Sequence, residues 1–150
     1  MRKDKERLAE RILKKLKLEG IFFCVTGSWV AKNEGIIDRE IKDLDLMTCD
    51  TDALDLLSRI CIDVSETVGD GHYRYLYEDT LFIDVFIREK IELNELTTRV
   101  FGSTEINIRK PEYDMIQKTL NLGKVGTLNG RQRKIINDLR DYLITQTYNK

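Results

Sequence analysis

Apolar positions recur along this chain in two periods. Leu8, Ile12 and Leu16 stand four apart with Leu13 alongside, a spacing that predicts an amphipathic helix closed by Gly20. Ile21 to Thr26 is a short continuous apolar run that reads as a buried strand, followed by a Trp29 to Asn33 helix. Ile41 to Thr48 reads as the next strand. Asp50 or Thr51 caps a helix running to Ile60, with Leu54, Leu57 and Cys61 on one face. Strands are expected over Ile62 to Val68 and His72 to Tyr77, around the turn at Gly69-Asp70-Gly71, and over Leu81 to Ile87. Ile106 to Ile108 reads as a short strand. Pro111 opens a helix that continues through Tyr113 to Leu120, and Arg131 to Ile144 predicts a last helix after Gly123, Gly126 and Gly130.

This order predicts an α/β (α+β) domain over residues 1–150, with helices flanking a sheet and closing the chain. The short connection at Glu78-Asp79-Thr80 cannot join parallel neighbours, so the sheet is expected to be mixed. A chain of 150 residues buries roughly 70% of its unfolded surface and needs no covalent staples.

The chemistry is suggested by acids in unusual places. Side chains two apart on a strand share a face, so Asp43 and Asp45 point one way while Leu44 and Leu46 point the other. An Asp-x-Asp of this kind also occurs on solvated strand edges. Asp84 is the more demanding residue, with Leu81-Phe82-Ile83 before it and Val85-Phe86-Ile87 after it. An ionised carboxylate in such a strand needs a partner or an opening to water. Three readings are open: an ion pair with Arg74 or Arg88, a position at the sheet edge, or a metal site shared with Asp43 and Asp45. Val25-Thr26-Gly27-Ser28-Trp29 joins a strand to a helix start, where glycine permits close approach and free N–H groups suit phosphate; the same pattern serves as an ordinary capped turn.

Taken in order, Val25-Thr26-Gly27-Ser28, then fourteen residues, then Asp43-Leu44-Asp45-Leu46, then Ile83-Asp84-Val85, the chain resembles the DNA polymerase β-type nucleotidyltransferase superfamily. Gly35 and Arg39, four residues before Asp43, resemble the small lincosamide nucleotidyltransferases and AbiEii-type proteins. So does the stretch with Gly102, Ile106-Asn107-Ile108, Pro111-Glu112 and Lys118. The one departure is Ser28 at the second glycine position, and both residues occur in the superfamily.

The resemblance implies a mixed-sheet nucleotidyltransferase fold that transfers a nucleoside monophosphate from a triphosphate to a hydroxyl, releasing pyrophosphate. It implies Asp43, Asp45 and Asp84 as catalytic residues and as ligands of two Mg²⁺ or Mn²⁺ ions. Gly27 and Ser28 are implied to seat phosphates. Arg39 braces the Asp-x-Asp strand or reaches a phosphate. Lys134, within the cluster Lys124, Arg131, Arg133 and Lys134, belongs to a solvated face or contacts the triphosphate.

Composition narrows the partners. Lys plus Arg (25) balances Asp plus Glu (26), giving a net charge of -1, so nucleic acid is not a favoured partner. No apolar run is long enough to span a bilayer, and the N-terminus has no apolar signal core, so the expected compartment is the cytoplasm. Cys24, Cys49 and Cys61 lack metal-ligand spacing and read as reduced packing residues. Tyr73, Tyr75 and Tyr77 alternate on one face and suggest core or homodimer packing, with base stacking the alternative. His72, the only histidine, reads as a polar strand end. A small-molecule acceptor is favoured over a protein or RNA acceptor of toxin–antitoxin type, and over a non-catalytic nucleotide-binding module. The acceptor itself is not legible.

Overall fold

The computed structural model describes the backbone of residues 2–38, 40–69, 71–122 and 134–142, and the side chains of 5–38, 40–66, 68–69, 71–116 and 134–142. Helix α1 (Arg2–Leu18) leads to β1 (Cys24–Thr26) and α2 (Gly27–Asn33). Strand β2 (Asp43–Thr48), helix α3 (Asp52–Ile60) and strand β3 (Ile62–Asp63) follow. Next come β4 (His72–Tyr77), β5 (Leu81–Ile87), β6 (Leu96–Phe101), β7 (Thr104–Arg109) and α4 (Pro111–Leu122). Residues 134–142 are helical and are called α5.

Among the described residues, seven strands form one sheet in the order β3-β4-β5-β2-β1-β7-β6. The sheet is mixed. β2–β5 and β1–β7 are parallel, whereas β1–β2, β3–β4, β4–β5 and β6–β7 are antiparallel. Glu78 and Asp79 have φ of 51° and 54° and close the β4–β5 hairpin, matching the primed turns whose twist suits paired strands. Two carboxylate residues bearing left-handed backbone are uncommon there, and Asp tolerates it better than most.

The predicted periodicities are reproduced with shifted limits. Ile12, Leu13 and Leu16 of α1 are fully buried and pack with Val25, Leu44, Leu46, Leu57, Ile83, Val85, Ile106 and Ile108. Each such side chain contributes about 1.5–3 kcal/mol when removed from water. Tyr75 and Tyr77 are buried in this core and Tyr73 packs against it, so the alternating tyrosines are core residues rather than a stacking platform. Helix α3 buries Ala53, Leu56 and Leu57, a face turned slightly from the one expected, with Leu54 and Cys61 at its border.

Three elements differ from the sequence reading. Ile21 to Phe23 lies outside β1, and Ile41-Lys42 outside β2. The run Ile62 to Val68 is a strand for two residues only. Asp63 Oδ1 then accepts the Ser65 N–H at 2.8 Å, and a 3-10 turn, Ser65–Thr67, replaces the pairing. Strand β6 has no counterpart in the sequence reading. It is an edge strand whose middle residues are exposed, and Thr97, Thr98 and Arg99 give it no apolar alternation. The last helix is described only over 134–142; the remainder of that expectation, with Gly123, Gly126 and Gly130, lies outside the described residues.

Candidate active site

The two central strands bring the acids together. In the parallel β2–β5 ladder Asp45 is the direct partner of Asp84, and Asp43 is the partner of Phe82. Leu44 and Leu46 are buried on one face of β2, which turns Asp43 and Asp45 to the other. On β5, Ile83 and Val85 are buried while Phe82 and Phe86 are half-exposed. Asp84 therefore lies on the face of the two phenylalanines and borders an open cleft, although the residue is itself only 3% exposed.

Strand β4 supplies the counter-charges. Arg74 is the ladder partner of Asp84, with His72 one pleat away opposite Phe86. His72 Nε2 and Asp84 Oδ1 are 2.7 Å apart, and the imidazole stacks on Phe86 with centroids 4.4 Å apart. One Arg74 nitrogen lies 3.5 Å from Asp84 Oδ1 and the other donates to Asp43 Oδ2 at 3.3 Å. The guanidinium lies over the Phe82 ring, 4.3 Å from its centroid. Burial pushes the Asp43 carboxyl above its ordinary value, and the negative charge of Asp84 pushes it further. Arg74 and Lys134 pull it back. Asp84 thus pairs with Arg74, one of the readings left open for it, and also sits beside the Asp-x-Asp pair. His72 is a partner of the central carboxylate rather than a mere strand end.

Gly27 lies beside Asp45. Its φ is +71°, and a methyl group on its Cα would run into the Asp45 carboxylate. Close approach to Asp45 is the reason for glycine here. Its N–H is not directed to a ligand, because it donates to Asp114 Oδ2 at 2.8 Å. Ser28 lines the cleft, as do Asp43, Asp45, Asp84, Arg74 and Lys134. The cleft measures about 900 Å³, the upper range for a ligand site. Arg39, like Lys124, Arg131 and Arg133, lies outside the described residues.

Oxygen donors on two adjacent strands suit a hard cation such as Mg²⁺ or Mn²⁺. Among the described residues, no three such side chains surround one point as a finished cage. The Arg74 guanidinium instead lies between Asp43 and Asp84, where positive charge is needed. Donor type and strand placement fit a cation that displaces or shares with Arg74.

Sequence reasoning missed Asp114, Arg109 and Asp138. Asp114 and Asp138 are buried. Asp114 follows Pro111 in a helix's first turn, where an acid is ordinarily explained by the helix dipole. Its partner Arg109 ends a strand that the sequence marked only at its apolar centre. Asp138 lines the cleft from α5.

No family model matches the chain, and no curated protein does. Solved structures do. The antibiotic-resistance factor ANT(2'')-Ia superposes with a TM-score of 0.67 at 14% identity, covering 100% of this chain and 86% of that one. An antigenic nucleotidyltransferase-like protein from Paracoccidioides brasiliensis gives 0.61 at 16% identity, covering 94% and 76%. The lincomycin-bound lincosamide antibiotic adenylyltransferase LnuA gives 0.57 at 11% identity, covering 91% and 97%. At these identities the likeness establishes the fold, which is the nucleotidyltransferase fold that the motif order implied.

Proposed function

We propose that this chain is a metal-dependent nucleotidyltransferase that moves a nucleoside monophosphate from a nucleoside triphosphate to a hydroxyl acceptor. One observation carries the reading: Asp45 and Asp84 are ladder partners, with Asp43 on the same face, and all three line one cleft together with Ser28. An acceptor oxygen bonds to the α-phosphorus, the bond from that phosphorus to the bridging oxygen breaks, and pyrophosphate leaves with the electron pair. Asp43, Asp45 and Asp84 would hold two Mg²⁺ or Mn²⁺ ions, which when bound acidify the acceptor hydroxyl and neutralise the triphosphate.

The chain's own residues do the rest. Ser28 offers its hydroxyl to a phosphate oxygen from the cleft wall. Lys134, close enough to Asp43 to lower its pKa, adds positive charge to the cleft. Asp84 is assigned the acceptor side, where it assists removal of the hydroxyl proton. Positioning and charge stabilisation supply most of the rate in such transfers. A small-molecule acceptor is favoured. The cleft has room for a nucleotide and a small partner, and the similar folds include an antibiotic adenylyltransferase and an antibiotic-resistance factor. The expected compartment remains the cytoplasm; among the described residues no helix is long and apolar enough to cross a membrane.

The test is transfer of label from α-labelled triphosphates, with Mg²⁺ or Mn²⁺, to fractionated cell extract and to hydroxylated antibiotics. Label should appear on a small molecule with the native chain and not with Asp84→Asn. Equal labelling by both proteins would place the chemistry elsewhere.

A further inference from the structure

The Gly27–Ser28 turn is tied to β1 on one side and to the buried residues of α2 on the other. Gly27 has no side chain, the cleft lies open on one side, and α2 is only seven residues long. Thr26, at the N-cap position of α2, makes no side-chain cap of its own. A further anchor comes from a residue 88 positions away in sequence. Thr26 Oγ1 donates to Asp114, 2.7 Å from Oδ1 and 2.8 Å from Oδ2, and the Gly27 N–H donates to Oδ2 at 2.8 Å. Arg109 donates to Asp114 Oδ1 at 3.0 Å and its Nε lies 3.3 Å from Glu95 Oε2. Thr26 and Asp114 are both buried.

From this geometry we infer that Asp114 is a positioning residue for the triphosphate site: it clamps the Gly27–Ser28 turn from behind and so fixes Ser28 and Asp45 in the cleft. The inference rests on the functional reading above. A buried carboxylate that accepts from a hydroxyl, a backbone amide and a guanidinium holds three donors in one geometry. Its charge would otherwise repel a phosphate on the far side of the turn, and the adjacent Arg109 neutralises it. The turn then reaches the acids directly, since Gly27 abuts the Asp45 carboxylate. A loosened turn moves Ser28 and the face against which Asp45 rests together. A merely structural salt bridge would instead affect unfolding and leave the folded protein's binding unchanged.

The experiment uses the full chain, hydrogen exchange and calorimetry. Asp114→Asn keeps the shape but loses the charge, Thr26→Val removes one donor and leaves Asp114 in place, and Thr26→Ser restores the hydroxyl. In Asp114→Asn the Gly27 amide should exchange about tenfold faster, the cost of one charge-assisted bond, while amides of β5 stay protected. The Kd for a non-hydrolysable triphosphate with Mg²⁺ should rise about tenfold in Asp114→Asn and about threefold in Thr26→Val, with Thr26→Ser near the native value. Unchanged Kd values in folded Asp114→Asn and Thr26→Val would overturn the inference and leave the functional reading standing. Absence of triphosphate binding by the native chain would overturn that reading itself, and the phosphate role of the clamp with it. Should Asp114→Asn fail to fold, Thr26→Val against Thr26→Ser decides alone.

Discussion

Replacing Asp84 by Asn changes one atom type at the centre of the site, and the structure lets its cost be worked out. Two opposing terms are removed together. One is attraction to Arg74 at 3.5 Å, and the other is repulsion of Asp43, whose carboxyl is held above its ordinary value by burial first and by Asp84 second. At about 4 Å and an effective dielectric near 20 each pairwise term is about 4 kcal/mol before solvent screening. Arg74 is one-quarter exposed and Asp43 one-third, so screening shrinks both terms toward the ~1 kcal/mol of an exposed pair. The His72 contact at 2.7 Å survives, because an amide offers both a donor and an acceptor. The sum predicts a net change within about 1 kcal/mol in chelator, or a melting shift of roughly 2–4 °C for this chain length. With metal the outcome separates. Mn²⁺ at about 100 times its Kd stabilises the native chain by about 2.7 kcal/mol, roughly 5–10 °C. Asp84→Asn lacks a ligand and should gain far less. Thermal melts with chelator and with Mn²⁺ read both. A drop of about 3–5 kcal/mol in chelator would mean that Asp84 is chiefly half of a buried structural ion pair. An undiminished Mn²⁺ shift would refute its assignment as a ligand.

Arg74→Met removes the cation between Asp43 and Asp84 and should tighten Mn²⁺ binding about fivefold, the equivalent of about 1 kcal/mol; manganese titration followed by electron paramagnetic resonance checks it, and weaker binding would make Arg74 an organiser of the site. The raised pKa of Asp43 means that the folded state holds its proton more tightly than the unfolded one, so stability falls as pH rises from the ordinary carboxylate range through the raised value. Asp43→Asn lacks this penalty, and its stability in chelator relative to the native chain should climb across that window and then level off; urea unfolding between about pH 4 and 7 should reveal it, and a constant difference would contradict the assignment. Cys24 is fully buried with its thiol pushed up to about 12, Cys61 is half-buried at about 11, and Cys49 is exposed. Thiol labelling of the native chain at neutral pH should therefore mark Cys49 first and Cys24 only on unfolding, as mass spectrometry of timed samples would show.

What the sequence made legible was carried by period and by contrast. Asp43 and Asp45 alternate with buried leucines, and Asp84 is the one acid in an apolar strand, so the strand face of all three was readable. Their pairing was not, because Asp45 meets Asp84 only through a parallel ladder closed across α3, β3 and β4. The network under the turn was hidden for the same reason. Asp114 and Arg109 look like a helix-start acid and a strand-end base until β7 lies beside β1. Strand β6 escaped because an exposed edge needs no apolar pattern. Gly27 was recognised as a point of close approach, but toward phosphate; the neighbour it accommodates in the structure is Asp45.

The most direct measurement is calorimetry of a non-hydrolysable triphosphate against the full chain, in chelator and then in Mg²⁺. Three carboxylates on one cleft face repel a polyanion, and a net charge of -1 supplies no compensating field. Binding should be weak in chelator and should tighten with Mg²⁺ by about tenfold or more, with the gain lost in Asp45→Asn, which removes a carboxylate from the triphosphate side. Equal affinity in chelator and in Mg²⁺, or a gain that survives Asp45→Asn, would contradict the assignment of the acidic cluster as the metal site of a nucleotidyltransferase.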